Sequence, residues 1–175
     1  MTLWVALLRG VNVGGVAITS AELRELASDL GFEDVRTVLA SGNVVFSAGR
    51  SSSSALRRKI EGALEERFGY DAHVVLVELA RLRRIVDDFP FDDADRDRQP
   101  YVVFATEASV LGDVLDAAGP LDEDVDPIER GDGVLYWNPV KGTTLKTPFA
   151  KVTAKPPFAP ELTTRNLRTL RKVLA

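Results

Sequence analysis

The spacing of apolar and polar residues changes at regular intervals along the chain, and these changes predict alternating strands and helices. Residues 2–8 are almost entirely apolar and end at a glycine-containing loop, which is typical of a buried strand. Thr19 and Glu22 then have the spacing of a capping box, and the apolar residues after them recur on one helix face. Gly31 is a typical helix stop.

Residues 32–78 continue the pattern with two strands, a helix and a further strand. The two strands cover residues 35–39 and 44–47, and the last strand covers residues 72–77. The helix between them carries an apolar stripe of residues four positions apart, namely Leu56, Ile60, Leu64 and Phe68. The order over residues 1–78 is therefore βαββαβ, which predicts a ferredoxin-like unit within an α+β protein.

The remainder of the chain predicts a second, smaller α+β unit. Residues 79–99 contain one helix and a charged, exposed connector, and residues 100–175 follow a βαββα order. A hairpin turn is expected around Asp132-Gly133, and Thr163 or Thr164 is expected to cap a final helix. The second unit repeats part of the topology of the first, although no sequence repeat is visible.

Composition excludes several kinds of site. The chain of 175 residues has no cysteine, which excludes disulfides, thiolate catalysis and cysteine-type zinc sites. His73 is the single histidine, so histidine pairs cannot ligate a metal. Asp93, Asp95 and Asp97 alternate as in a calcium loop, but the required glycine and closing glutamate are missing. No metal site is expected.

The charge distribution is more informative than the net charge of −4, which does not suggest a general nucleic-acid binder. Residues 71–132 have a net charge of −11, and residues 133–175 have a net charge of +7. This asymmetry is typical of an anion-binding end, or of a basic segment that pairs with an acidic one in the folded protein. The chain has neither a signal peptide nor an apolar run of membrane-spanning length, so we expect a cytoplasmic protein without a membrane partner.

A glycine-rich loop between the first strand and the first helix is the first candidate motif. Arg9, Gly10, Asn12, Gly14 and Gly15 form this loop, and its glycines allow backbone N–H groups to face an anion. The spacing of the glycines imitates the start of a phosphate loop, but the lysine and the hydroxyl residue that should follow are absent. The alternative is a structural turn in which the asparagine bonds the backbone.

Two further motifs contain candidate binding residues. Ser41-Gly42-Asn43 is either a turn with positive φ angles or one wall of a pocket. Thr164, Arg165 and Asn166 are either a helix cap or a phosphate contact at the start of the final helix. Arg165, Arg168 and Lys172 have the spacing of one helix face.

These motifs occur in an order that resembles a known family. Trp4 to Gly15, Ala21 to Arg24, Gly31-Phe32, Val35 to Thr37, Ser41 to Phe46 and Thr163 to Asn166 carry the likeness. Together they look like the bacterial family called domain of unknown function 1697. The resemblance implies two α+β units, the first ferredoxin-like, with no established activity. The family's signature residues correspond here to Arg9, Gly10, Asn12, Gly14, Gly15, Ser41, Gly42, Asn43, Thr164, Arg165 and Asn166.

The leading hypothesis is a protein that binds a small anionic, phosphate-bearing ligand where the three motifs converge. Arg9 and Arg165 would supply charge, and Asn12 and Asn43 would supply hydrogen bonds. A second hypothesis is a single-stranded RNA-binding module that uses the basic C-terminal part and strand aromatics. A third is a hydrolase or transferase with aspartate or arginine chemistry. No catalytic residue or cofactor is indicated by the residues themselves.

Overall fold

The protein divides into two units, each built around one four-stranded antiparallel sheet. The computed structural model describes residues 1–12, 16–40 and 42–175. Unit 1 comprises residues 1–83 and 172–175, and unit 2 comprises residues 84–171. No helix in these described ranges is long and apolar enough to cross a membrane. The sequence-based division at residues 78 and 99 stays a prediction.

Unit 1 has the predicted βαββαβ order. Its elements are β1 (Thr2–Leu8), α1 (Ser20–Asp29), β2 (Glu33–Val38), β3 (Asn43–Ala48), α2 (Ser53–Phe68) and β4 (Val74–Glu78), and α3 (Leu79–Asp87) follows. The strands lie in the order β2-β3-β1-β4, and every neighbouring pair is antiparallel. This arrangement confirms the ferredoxin-like prediction for the first unit.

The start of α1 confirms the predicted capping box. The backbone N–H of Glu22 donates to Thr19 Oγ1 (3.1 Å), and the backbone N–H of Thr19 donates to Glu22 Oε2 (2.7 Å). These hydrogen bonds with Thr19 hold the pKa of Glu22 below its usual value. The cap fixes the first turn of α1, whose buried residues Leu23, Leu26 and Ala27 join the core under the sheet.

Unit 2 has the same strand order as unit 1. Its elements are β5 (Tyr101–Ala105), α4 (Ala108–Ala118), β6 (Ile128–Arg130), β7 (Val134–Trp137), α5 (Pro148–Thr153), a 3-10 turn (Ala159–Glu161) and β8 (Leu162–Asn166), and α6 (Leu167–Leu174) follows. The strands lie in the order β6-β7-β5-β8 and are antiparallel throughout. Both units are therefore ferredoxin-like.

Strand β8 is one strand more than the βαββα order predicted for the second unit. It pairs with β5 at the edge of the sheet, where polar side chains are tolerated. Its sequence contains one apolar residue, Leu162, and its threonines also suit a helix cap. The predicted cap at Thr163 or Thr164 is wrong, because Asn166 Oδ1 accepts the hydrogen bond from the backbone N–H of Arg168 (2.8 Å).

A buried carboxylate joins β7 to the start of α5 in unit 2. Asp126 is 2% exposed, and its Oδ1 accepts a hydrogen bond from Trp137 Nε1 (2.9 Å). Its Oδ2 accepts a hydrogen bond from the backbone N–H of Phe149 (3.0 Å). Both donors are buried, so truncation of the Asp126 side chain would remove the acceptor of each N–H group.

We expect the substitution Asp126→Ala to lower the free energy of unfolding by about 2–4 kcal/mol, because it leaves two buried N–H groups without acceptors. Glu123→Ala is the matched control, since Glu123 is exposed in the same segment, and it should change stability by less than about 0.5 kcal/mol. Urea denaturation of both variants measures the difference. Equal stabilities would show that water or a rearranged loop replaces the carboxylate.

Candidate functional site

The loop that follows β1 takes a conformation that its glycine and asparagine residues permit. Gly10 has a φ of 74° and Asn12 a φ of 58°, both in the left-handed region. A bridge joins Val11 to Val16 across the loop. Of the predicted binding residues, Gly14 and Gly15 lie outside the described residues, as does Val13.

The side chain of Asn12 holds this loop in place. Its Nδ2 donates to the carbonyl oxygens of Ile18 (2.9 Å) and Ala40 (2.6 Å). Its Oδ1 accepts from the backbone N–H of Ile18 (2.9 Å). Both hydrogens of the amide and one acceptor site are therefore used within the protein. These bonds fit the alternative interpretation of the loop, a structural turn in which Asn12 bonds the backbone.

The turn between β2 and β3 packs directly against the end of β1. The backbone N–H of Leu8 donates to the carbonyl of Gly42 (2.9 Å). A Cβ at Gly42 would lie 2.9 Å from the Cβ of Leu8, and its φ is 82°, so only glycine fits. Asn43 is fully buried, and its Nδ2 donates to Val38 O (2.8 Å). Ser41 lies outside the described residues.

The structure thus brings two of the three predicted motifs together within unit 1. Asn12 connects the loop to the turn through the carbonyl of Ala40, and Gly42 allows their close approach. The backbone N–H of Arg9 donates to His73 O (3.1 Å), which fixes the loop to the strand on its other side. The asparagine side chains of both motifs are thus engaged in shaping the backbone.

The third motif lies on β8 and its side chains alternate between the two sheet faces. Thr164 is exposed and Asn166 is half-buried, whereas Arg165 is 8% exposed. Successive side chains of a strand point to opposite faces, so Arg165 faces away from its two neighbours. Arg165 Nη1 donates to Thr163 Oγ1 (2.7 Å) and to Thr164 O (3.3 Å). Burial lowers the pKa of Arg165 to about 10, which leaves it charged at neutral pH.

The predicted basic helix face of Arg165, Arg168 and Lys172 is wrong, because Arg165 precedes α6 and lies on a strand. The helix itself presents Arg168, Arg171 and Lys172 as exposed residues. The motif therefore contributes a strand residue, Arg165, to the buried part of the sheet. It contributes Asn166 to the junction between β8 and α6.

This junction forms one wall of an open cleft of about 570 Å³ within unit 2, called the basic cleft here. Its lining residues are Asp93, Ala94, Asp95, Arg96, Arg98, Gln99, Pro100, Lys141, Asn166, Arg168 and Arg171. Five of these side chains are cationic and two are carboxylates, so the lining has a net charge of +3. The cleft thus concentrates positive charge in a protein whose net charge is −4.

Only part of this charge is neutralised within the cleft. Arg171 pairs with Asp93, and Arg98 Nη1 donates to the carbonyls of Asp124 (2.8 Å) and Asn138 (3.4 Å). Across the described ranges of the chain, the side chains of Arg96, Lys141 and Arg168 make no hydrogen bond or ion pair with the protein. These three groups are available to an anion in the cleft.

Sequence reasoning missed most of this cleft. The charged connector predicted over residues 92–98 is exposed from residue 92 to residue 97, and its Arg96 and Arg98 also line the cleft together with Lys141. The net charge of +7 over residues 133–175 is the signal that pointed to it. Arg96 and Arg98 belong to the acidic segment of residues 71–132. A charge count by segment therefore separates them from Lys141, Arg168 and Arg171, the other cations of the cleft.

The strand aromatics do not form an open stacking surface. Trp4, Phe46, Phe104, Tyr136 and Trp137 are each less than 8% exposed. Tyr101 is half-buried and stacks on Trp137, with 5.4 Å between the ring centroids. Single-stranded RNA recognition needs aromatic faces that are open to bases, so these residues do not support it.

Comparisons with known proteins agree with this fold. A family model described as "Protein of unknown function (DUF1697)" matches residues 1–136. Among solved structures, the conserved bacterial protein SP0830 from Streptococcus pneumoniae is similar, with 26% sequence identity and a TM-score of 0.81. The likeness covers 98% of this chain and 96% of that protein. A comparison with curated proteins gave no match.

We expect Asn12→Ala to destabilise the protein by about 2–3 kcal/mol, since it removes three hydrogen bonds that fix the loop to the turn. Asn12→Asp keeps the acceptor for Ile18 N–H but sets a carboxylate oxygen against the carbonyls of Ile18 and Ala40, so its loss should be at least as large. Thermal and urea denaturation give the order of stabilities. Wild-type stability in Asn12→Ala would contradict a structural role for this amide.

Proposed function

The chain belongs to the DUF1697 family of proteins of unknown function, and for this member we propose the binding of a small anionic, phosphate-bearing ligand in the basic cleft. The main support for this proposal is the excess of positive charge in the lining, which has five cationic side chains and two carboxylates. Three of these cations make no hydrogen bond or ion pair among the described residues. Like charges that line one cleft repel each other, and a bound anion offsets this repulsion.

The kinds of cation favour phosphate among anions. Arg96 and Arg168 offer planar guanidinium groups whose parallel N–H groups match two oxygens of one phosphate. Lys141 adds a compact charge with three donors to the lining. The volume of about 570 Å³ lies within the range of small-molecule sites, so a phosphate ester fits better than a bare ion.

This proposal changes the roles of the residues predicted from sequence. Among the binding residues predicted from sequence, Asn166 would contact the ligand, because it lines the basic cleft. Asn12 and Asn43 shape the loop and the turn of unit 1 through their hydrogen bonds to the backbone. Arg165 stabilises β8 through Thr163, on the sheet face opposite to Asn166.

Thermal-shift and calorimetric titrations with inorganic phosphate, pyrophosphate, adenosine diphosphate and coenzyme A test the proposal at constant ionic strength. A ligand at about 100 times its Kd should add about 2.7 kcal/mol to the free energy of unfolding. We expect stabilisation by at least one of these anions, and a loss of affinity of about tenfold in Lys141→Gln and in Arg168→Gln.

Lys151→Gln is the matched control, because Lys151 is an exposed lysine of unit 2 outside the lining of the cleft. It removes the same charge and should leave the affinity unchanged. The proposal is wrong if none of these anions stabilises the protein, or if binding is unchanged in the double variant Lys141→Gln, Arg168→Gln. Stabilisation by short RNA alone, weakening steeply with salt, would instead support the RNA-binding function.

A further inference from the structure

The two units correspond residue by residue at the pairing of their first and fourth strands. In unit 1, Trp4 of β1 lies opposite Glu78 of β4. In unit 2, Tyr101 of β5 lies opposite Asn166 of β8. Each of these pairs ends its fourth strand, and a helix begins at the next residue in both cases. Glu78 and Asn166 therefore occupy equivalent positions.

The helices that follow these strands also correspond in sequence. Residues 79–86 and 167–174 both read leucine, two variable residues, leucine, arginine, a second basic residue and two apolar residues. The second leucines, Leu82 and Leu170, are fully buried, and the arginines after them, Arg83 and Arg171, are exposed. The two helices are therefore linked by a sequence correspondence over eight residues.

The end of the fourth strand and the start of the helix after it are called the corner of each unit. Each unit has a cleft at its corner, and the lining residues of the two clefts correspond. In unit 1 a groove of about 360 Å³ is lined by Met1, Thr2, Leu3, Glu78, Leu79, Ala80 and Arg83. Aligning Trp4 with Tyr101 and Glu78 with Asn166 matches every one of these positions except Leu79 to a lining residue of the basic cleft. The six matching residues are, in the same order, Arg98, Gln99, Pro100, Asn166, Arg168 and Arg171. The corner is thus the same site in the fold, present twice.

The chemistry of the two corners differs at the last residue of the fourth strand and at the second residue of the helix that follows it. Glu78 of unit 1 is replaced by Asn166, and Ala80 is replaced by Arg168. A glutamate offers acceptor oxygens and a negative charge, whereas an asparagine also has two N–H donors. Asn166 Oδ1 accepts from the backbone of Arg168, and its Nδ2 makes no hydrogen bond among the described residues. A donor and a cation thus stand in unit 2 where unit 1 has an acceptor and a methyl group.

Resting on the proposed function, we infer that Asn166 and Arg168 determine the ligand class of the corner, and that this class is a phosphate ester with at least two negative charges. Asn166 Nδ2 donates to the phosphate beside the guanidinium of Arg168. The corner of unit 1 rejects the same ligand, because Glu78 repels it and Ala80 contributes no charge. The chain therefore binds one such ligand rather than two.

Asn166→Asp is the sharpest test of this inference, because it preserves the size of the side chain and the acceptor for Arg168 N–H. It replaces only the donor by a carboxylate oxygen. Calorimetric titration with pyrophosphate should give one site in the wild type and a loss of affinity of at least about tenfold in Asn166→Asp. Asn166→Gln, which keeps a neutral amide, should lose less affinity for pyrophosphate than Asn166→Asp.

Two further measurements separate this inference from a structural effect. The loss in Asn166→Asp should be larger for pyrophosphate than for inorganic phosphate, because the repulsion scales with ligand charge. It should also decrease as salt is added. The side chain of Arg168 is exposed and makes no hydrogen bond or ion pair among the described residues. Arg168→Ala should therefore show the same order of losses while its thermal stability stays that of the wild type.

The outcomes also distinguish this inference from the proposed function. Absence of anion binding to the wild type would overturn both. Binding that Lys141→Gln weakens but Asn166→Asp leaves unchanged would overturn the inference and retain the basic cleft as the site. Two equivalent sites per chain for pyrophosphate would likewise overturn it, because the corner of unit 1 would then accept the ligand.

Discussion

The register between the first and fourth strands of each sheet is the constraint on which the basic cleft depends. The antiparallel pairing of β5 with β8 sets Asn166 opposite Tyr101, at the point where α6 begins. A slip of one residue would exchange the faces of Thr164 and Arg165, because side chains alternate along a strand. The guanidinium of Arg165 would then replace the amide of Asn166 near the cleft.

The sequence predicts most of unit 1 because its strands and helices have clear apolar periodicity. Every strand of that unit was expected within a few residues of its bounds, and the capping box at Thr19 was expected from two residues alone. Unit 2 is harder to predict because β8 gains its stability from pairing with β5 rather than from apolar residues of its own. Tertiary pairing of this kind overrides the local preference of threonine for a cap, and Asn166 accepts the hydrogen bond from the helix instead.

The candidate site shows a different limit of sequence reasoning. Asn12 and Asn43 are polar residues in motifs, which is equally typical of ligand contacts and of backbone supports. The structure supports the second role, since their amides bond to main-chain atoms. Leu39 in the adjoining turn has a φ of 59° and is 46% exposed, which is a costly conformation for a branched apolar residue. The sequence gives no sign of that strain.

The electrostatics of the basic cleft limit what kind of ligand it can hold. Its unpaired cations are exposed, so a single contact at about 4 Å contributes about 1 kcal/mol in water and somewhat more near the protein surface. Ambient salt reduces these contributions further. A monovalent ion therefore gains too little to bind at ordinary concentrations, whereas a phosphate ester engages several cations at once and adds contacts for its organic part. The carboxylates of Asp93 and Asp95 also oppose indiscriminate anion binding. A cleft of net charge +3 with internal carboxylates favours a ligand whose negative charge is concentrated at one end.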